Sequence, residues 1–277
     1  MITDFVSDFI TMMSFTFMQR ALVVGFIVSL CASLLGVSLV LKRYAMIGHG
    51  LSYVGFAAMA AGTGLGLAPF TLSLPVVIVA AFLLLRLDES NKIKGDSAVA
   101  MIAASSLAIG VIIKSRTTGL SIHVCSAMFG SILAMSRTDT QISIGLSIVV
   151  MALFVLFYKQ LFAVTYDEEF ARAAGTNTQR YKSLLAFLTA VTVVLGMRMM
   201  GALLIASLLI FPALTAMRIC KSFLSVVITS VVVAVASFLV GFILSAGLDF
   251  PTGASVVVVN LVVFAGVNIA ALILRRN

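Results

Sequence analysis

Long apolar runs separated by short polar breaks make up most of this chain, and the positions of the breaks define its elements. A helix needs roughly 17 to 25 apolar residues to bridge the hydrocarbon of a bilayer. By that measure crossings are expected over 17–41, 46–66, 69–87, 96–114, 140–163, 182–198, 200–218, 223–246 and 252–273. The sixth and seventh are separated only by Met197 to Met200. The stretch 122–135 is too short and too rich in small and polar residues to span, and reads as a re-entrant or external helix. The expected fold is an all-α polytopic membrane protein of about nine transmembrane helices, with eight and ten as the neighbouring solutions. Residues 1–277 form a single transmembrane domain.

Proline and glycine punctuate this pattern. Pro69 opens the third crossing, where a missing N–H costs little. Pro75 and Pro212 fall inside crossings and are expected to kink them, which membrane helices tolerate when neighbours satisfy the freed carbonyls. Gly62, Gly64 and Gly66 loosen the end of the second crossing, and GLDFPTG (247–253) turns between the last two. The first residues, MITDFVSDFITMMSF, lack a basic n-region and a small-residue cleavage site, so no removable signal peptide is expected.

Composition agrees with the pattern: 62% of the residues are hydrophobic and 10% charged, against about 25% charged in soluble domains. The net charge of +8 does not point to nucleic acid, because the basic residues fall singly or in pairs at the ends of apolar runs. There they encode topology. With Lys42, Arg43, Arg86, Lys92, Lys94, the Lys159–Lys182 segment, Arg218, Lys221, Arg275 and Arg276 on the cytoplasmic side, thirteen basic residues are inside and five outside. The N-terminus is then outside and the C-terminus inside. Cys31, Cys125 and Cys220 stand far apart without C-x-x-C spacing, which indicates neither a disulfide framework nor a structural zinc site.

Two stretches carry candidate chemistry. In the second crossing, His49, Ser52 and Tyr53 follow i, i+3, i+4 spacing and share one helix face. Polar groups are expensive in hydrocarbon, so such a face serves either a helix–helix hydrogen bond or a water-filled path. The longest polar stretch, YDEEFARAAGTNTQRYK (166–182), predicts a short helix. Asp167, Glu168 and Glu169 occupy its first turn, at the favourable end of the dipole. Phe170, Ala173 and Ala174 form a small apolar face, and Gly175 stops the helix as a C′ glycine. This segment is either a solvated loop with a helical turn or a docking helix for a soluble partner. Elsewhere, Asp96 is expected at the start of the fourth crossing as a helix cap. His123 and Cys125, at i, i+2, do not share a helix face and make a weak entrance pair. Asp249 falls in an external turn.

Three stretches together resemble the permeases that import zinc, manganese or iron(II) through ABC transporters, the class-3 ABC permeases. RYAMIGHGLSYV is similar to their second-crossing motif. Glu168, Ala171 and Gly175 fit the E-x-x-A-x-x-x-G signature of a coupling helix at about 166–181. MRMMGALLIASLLIFPALTAMRICKSF, with Gly201 and Pro212, resembles their downstream motif, and DFPTGASVVV is similar too. The resemblance implies a permease domain in the plasma membrane, a homodimer, a cytoplasmic ATP-binding subunit and an extracytoplasmic metal-binding protein. It implies no permanently bound cofactor, since the divalent metal is cargo, and no nucleic-acid partner. A motor from outside agrees with the sequence, in which Gly196 to Gly201 is followed by Ala202 and Leu203, and Gly50 to Gly55 by Phe56 and Ala57, rather than by Lys and Ser or Thr.

The chain departs from the family at one place. The second-crossing motif commonly reads G-D-x-L-S-H, and its Asp and His bind the metal. Here His49 stands for the Asp and Tyr53 for the His, so the implied ligand set becomes His49, Ser52 and Tyr53. Imidazole suits zinc well, whereas a phenol must first lose its proton. Exchanging carboxylates for imidazoles favours zinc over manganese or iron. Rival readings are an ABC permease for a metal chelate such as a siderophore or cobalamin, and a secondary transporter that needs no ATPase. No HExxH, paired intramembrane aspartates or Ser/His dyad supports an intramembrane enzyme.

Overall fold

The computed structural model describes residues 15–89, 95–118, 137–248 and 250–274. Among them every regular element is a helix, in the order α1 (Thr16–Leu41), α2 (Ala45–Gly64), α3 (Pro69–Glu89), α4 (Gly95–Thr118), α5 (Arg137–Leu156), α6 (Tyr158–Tyr166), α7 (Glu168–Ala173), α8 (Thr178–Met200), α9 (Ala202–Ile219), α10 (Phe223–Leu248) and α11 (Thr252–Leu274). Nine of these have 18 residues or more, and they match the nine expected crossings in order. Eight are long and apolar enough to cross a membrane by composition alone. The ninth, α2, is diluted by its glycines and by His49, Ser52 and Tyr53, but its 20 residues still make a rod about 30 Å long.

Two boundaries differ from expectation. The fifth crossing ends at Leu156 rather than 163, and the chain turns at Phe157 into the separate helix α6. Twenty residues already span the hydrocarbon. The next turn carries Lys159 and Gln160, so it lies along the bundle end, burying Leu161, Val164 and Thr165. Aromatic rings hold it there: Phe162 and Tyr158 pack on Phe223 of α10 at 4.7 and 5.7 Å between centroids. The sixth and seventh crossings meet at a single residue, Gly201, with φ 88° and ψ 157°. That backbone conformation is open only to glycine. Residues 122–135 lie outside the described residues.

Helices α1, α8 and α9 form the centre. α1 packs on α5, α8, α9 and α10, while α2 is held by α3, α4, α8 and α9. α11 covers α9 and α10 and shows Val258, Leu261, Val262, Ile269, Leu272 and Ile273 outward, as a lipid-facing helix should. Close approach of backbones sets the central contacts. A Cβ at Gly36 of α1 would stand 2.1 Å from the Leu209 carbonyl oxygen of α9, and one at Gly241 of α10 would stand 2.6 Å from the Cα of Val256 in α11. Small residues at such crossings are the usual route to helix association in lipid.

At the end of the bundle opposite α7, the start of α5 is tied to the end of α8 by an ion pair between Arg198 and Asp139, both largely buried. The Arg198 guanidinium also lies 4.9 Å from the ring centre of Phe70 at the start of α3.

The glycine contacts predict a contrast between two single substitutions. Gly36→Ala drives its methyl into an immobile carbonyl and lowers stability by about 1–3 kcal/mol. Gly145→Ala, which meets nothing within 4 Å, is neutral or raises stability by up to about 1 kcal/mol through helix propensity. Thermal unfolding of the two variants in detergent checks both signs.

Candidate functional site

The polar face of α2 starts from a sharp reversal. α1 ends at Lys42, Arg43 takes φ 61°, and Tyr44 caps α2. A left-handed conformation at a non-glycine residue costs roughly 1 kcal/mol or more and persists only where the surroundings enforce it. Five residues on, His49 and Tyr53 sit one turn apart with ring centroids 4.7 Å apart and planes at 80°, an edge-to-face pair. Both are half-buried. The glycines beside His49 put them there. A Cβ at Gly48 would come within 2.6 Å of a Leu209 methyl, and one at Gly50 within 2.8 Å of a Val99 methyl. The flanks of α2 are therefore pressed onto α9 and α4, while the His49–Tyr53 stripe stays at the margin.

Ser52 does not join them. It is fully buried and donates its hydroxyl to the Gly48 carbonyl at 2.8 Å. The structure thus brings together two of the three expected ligands and turns the third into the bundle. Among the described residues the His49 ring has no hydrogen-bond partner, and no three His, Cys, Asp or Glu side chains gather into a metal-holding group. One chain therefore offers one imidazole and one phenol along this stripe.

The second site is α7. Asp167 caps it by accepting the Phe170 N–H at 2.9 Å. Gly175, at φ 84°, ends it: the N–H of Gly175 reaches the Arg172 carbonyl and that of Thr176 the Ala171 carbonyl. Asn177 then caps α8. The sequence placed three acidic residues at one helix end, and the structure gives each a different task. Asp167 is the cap, Glu169 is exposed, and Glu168 points back into the bundle. Its Oε1 accepts from Lys182 of α8 at 2.5 Å and faces Arg172 at 3.4 Å, and its Oε2 accepts from Lys42 at 3.3 Å. The lysines are 9% and 7% exposed. Ala171 is buried beside Glu168, while Phe170 and Tyr166 are 70% and 77% exposed. The expected apolar face is present and uncovered.

Burial alone would raise the Glu168 carboxyl, but the hydrogen bond from Lys182 and the charges of Lys42 and Lys182 outweigh it and hold the group below the ordinary carboxylate range. Sequence reading missed both lysines as site residues, because it took Lys42 for a topology marker and Lys182 for the end of a polar loop. The available signal was Lys182 in the second turn of α8, two residues before its apolar run begins at Leu184. The other candidates are scattered. Asp96 lies in the first turn of α4. Pro212 is buried within α9, where it leaves the Leu208 carbonyl without its helical donor. His123, Cys125 and Asp249 lie outside the described residues.

Comparison with known proteins places this arrangement in context. The model of the ABC 3 transport family matches residues 14–271. The high-affinity zinc uptake system membrane protein ZnuB of Haemophilus influenzae is 32% identical over 251 residues, covering 90% of this chain and 96% of that protein. The manganese transport system membrane protein MntC of Halalkalibacterium halodurans is 25% identical over 254 residues, 92% and 87% of the two chains. Among solved structures, PsaBC from Streptococcus pneumoniae in complex with Fab contains a chain that superposes with a TM-score of 0.84 at 27% identity, covering 96% of this chain and 95% of that one.

A carboxylate held below its ordinary value stabilises the fold fully above that value, and the contribution is lost as pH falls through the lowered one. Acid unfolding of the wild type is therefore expected to steepen below the ordinary glutamate value of 4.5. Glu168→Gln is less stable at neutral pH and loses part of that steepening, which unfolding midpoints across pH 3–7 (about four units, bracketing the carboxylate range) measure.

Proposed function

Because the chain belongs to the ABC 3 transport family, we propose that it is the membrane-spanning subunit of an importer that takes up a divalent transition metal, zinc in the first place. It is a multi-pass protein of the bacterial plasma membrane, and its fold is that of a permease. The observation that carries the metal reading is the His49–Tyr53 stripe, a half-buried imidazole and phenol on an otherwise small and apolar crossing. Kinship with a zinc-uptake membrane protein over 90% of the chain supports it. Imidazole nitrogen is a better partner for zinc than for harder ions such as manganese.

One imidazole is too few for the four ligands that zinc prefers. Two copies of the chain related by a two-fold axis would supply two imidazoles, with water completing the shell. A conducting site must also let its ion go, so a sparse set suits transport better than a closed structural one. An extracytoplasmic metal-binding protein delivers the ion to this path.

The energy comes from elsewhere. The two G-x-x-x-x-G sequences are Gly50–Gly55 within α2 and Gly196–Gly201 at the end of α8; a Cβ at Gly50, Gly55 or Gly196 would strike the side chain of Val99, Met197 or Ile205 respectively. Both are helix-packing sites rather than loops open to phosphate. The short helix α7, with Phe170 and Tyr166 outward, is the docking element for a cytoplasmic ATP-binding subunit. Hydrolysis there alternates the access of the path between the two faces of the membrane.

Uptake of labelled zinc, manganese and iron(II) by the reconstituted complex tests the reading. His49→Ala is expected to lower zinc uptake by about tenfold or more, whereas Tyr53→Phe, which keeps the ring contact, has the smaller effect. Equal uptake by wild type and His49→Ala overturns the ligand role. Zinc uptake is also expected to fall as pH is lowered from about 7.5 to about 6, because an imidazolium cannot bind a metal. A flat profile in this window argues against His49.

A further inference from the structure

The acidic residue of a docking helix is most simply read as a contact to the docked partner. The geometry of α7 contradicts that reading. Glu168 and Ala171 face the bundle, while Phe170 and Arg172, at 70% and 71% exposed, face away. A partner arriving on the exposed side meets an aromatic ring, a guanidinium and the methyls of Ala173 and Ala174. The Glu168 carboxylate lies behind that guanidinium, 3.4 Å from it, with its closest partner on the bundle side.

What Glu168 does touch is informative. Lys42 closes α1 and immediately precedes Arg43, the residue in the left-handed conformation. Its ammonium also lies 5.9 Å from the ring centre of Tyr44, which opens α2. Lys182 stands in the second turn of α8. One carboxylate therefore joins α7 to the start of α8, which follows it in the chain, and to the α1–α2 reversal, 126 residues away. His49 follows Lys42 by only seven residues, all within the reversal and the first turns of α2.

The surroundings make this joint stiff. Behind the two lysines is a cavity of about 20 Å³ lined by Leu39, Ile47, Ala81, Leu85 and Leu185 among others, with room for about one water. The Lys42 and Lys182 side chains are only 7% and 9% exposed, and a counter-ion shared by two nearly buried ammoniums is costly to remove.

We propose that Glu168 is an internal strut, a positioning residue through which displacement of α7 is carried to the α1–α2 reversal and so to the His49 stripe. The proposal rests on the permease reading and deepens it. Phe170 and its neighbours receive the stroke from the ATP-binding subunit, and Glu168 passes it inward.

The test uses the complete complex in proteoliposomes and reads three quantities: co-purified ATP-binding subunit, ATP hydrolysis, and zinc taken up per ATP. Wild type must show all three, and its failure would dismiss the permease reading itself rather than the strut. With wild type working, Glu168→Gln is expected to keep the ATP-binding subunit and its hydrolysis within about twofold. Zinc per ATP falls about tenfold, a size that coupling between sites commonly reaches. Phe170→Ala instead loses the subunit. The exchanged pair Glu168→Lys with Lys182→Glu restores opposite charges across the same gap, and recovers much of the coupling that Glu168→Lys alone abolishes. The strut is overturned if Glu168→Gln keeps wild-type zinc per ATP, or if it sheds the subunit as Phe170→Ala does. It is equally overturned if the exchanged pair couples no better than Glu168→Lys or fails to reach the membrane.

Discussion

Inside a bilayer no water is available to a peptide group, and this constraint decides most of the structure. Every N–H and C=O in the hydrocarbon must find a partner within the chain, so the spanning segments are helices. The same constraint governs their polar side chains. Ser29, Ser33, Ser52, Thr189, Ser207 and Thr215 each donate to a carbonyl three or four residues earlier in their own helix. They thereby leave the contact surfaces effectively apolar. Once these groups are satisfied locally, hydrophobicity no longer distinguishes a neighbouring helix from a lipid tail. Fit takes over, and glycine positions such as Gly36 and Gly241 determine which helices meet.

Against that background the paired charges and the polar rings stand out. Arg198 and Asp139 neutralise each other between two helices, and Lys42, Lys182 and Glu168 do so among three elements. The His49 and Tyr53 rings have each other and an open margin. These three groups are spread along the length of the bundle, with the ionic ones at its two ends. A chain with so few charges places them where helices must hold a fixed relation or where an ion must pass.

Most of the architecture was legible in the sequence because membrane helices are coded by run length, which local composition reports directly. The order of the nine long helices, the acidic start of α7 and its stop at Gly175 all followed from local rules. What escaped depends on partners remote in sequence. The turn at Phe157 is fixed by the Phe223 ring of α10, and within the run LFVLFYKQLF only Lys159 and Gln160 mark it. The division of labour among Asp167, Glu168 and Glu169 depends on Lys42, which is 126 residues away. Ser52 was grouped with His49 by spacing, but a 60° difference in direction on the helix (about the offset of an i, i+3 pair) was enough to bury it against the bundle.

The joint at Gly201 has a mechanical corollary. A linkage one residue long, in a conformation that a side chain forbids, allows almost no play between the ends of α8 and α9 that it connects. Relative movement of these two central helices is therefore confined to their free ends, which open and close like the tips of tweezers about a fixed rivet. Those tips lie on the side where Lys182 meets Glu168, so the widest excursion in the bundle centre falls beside the surface that a motor protein would grip.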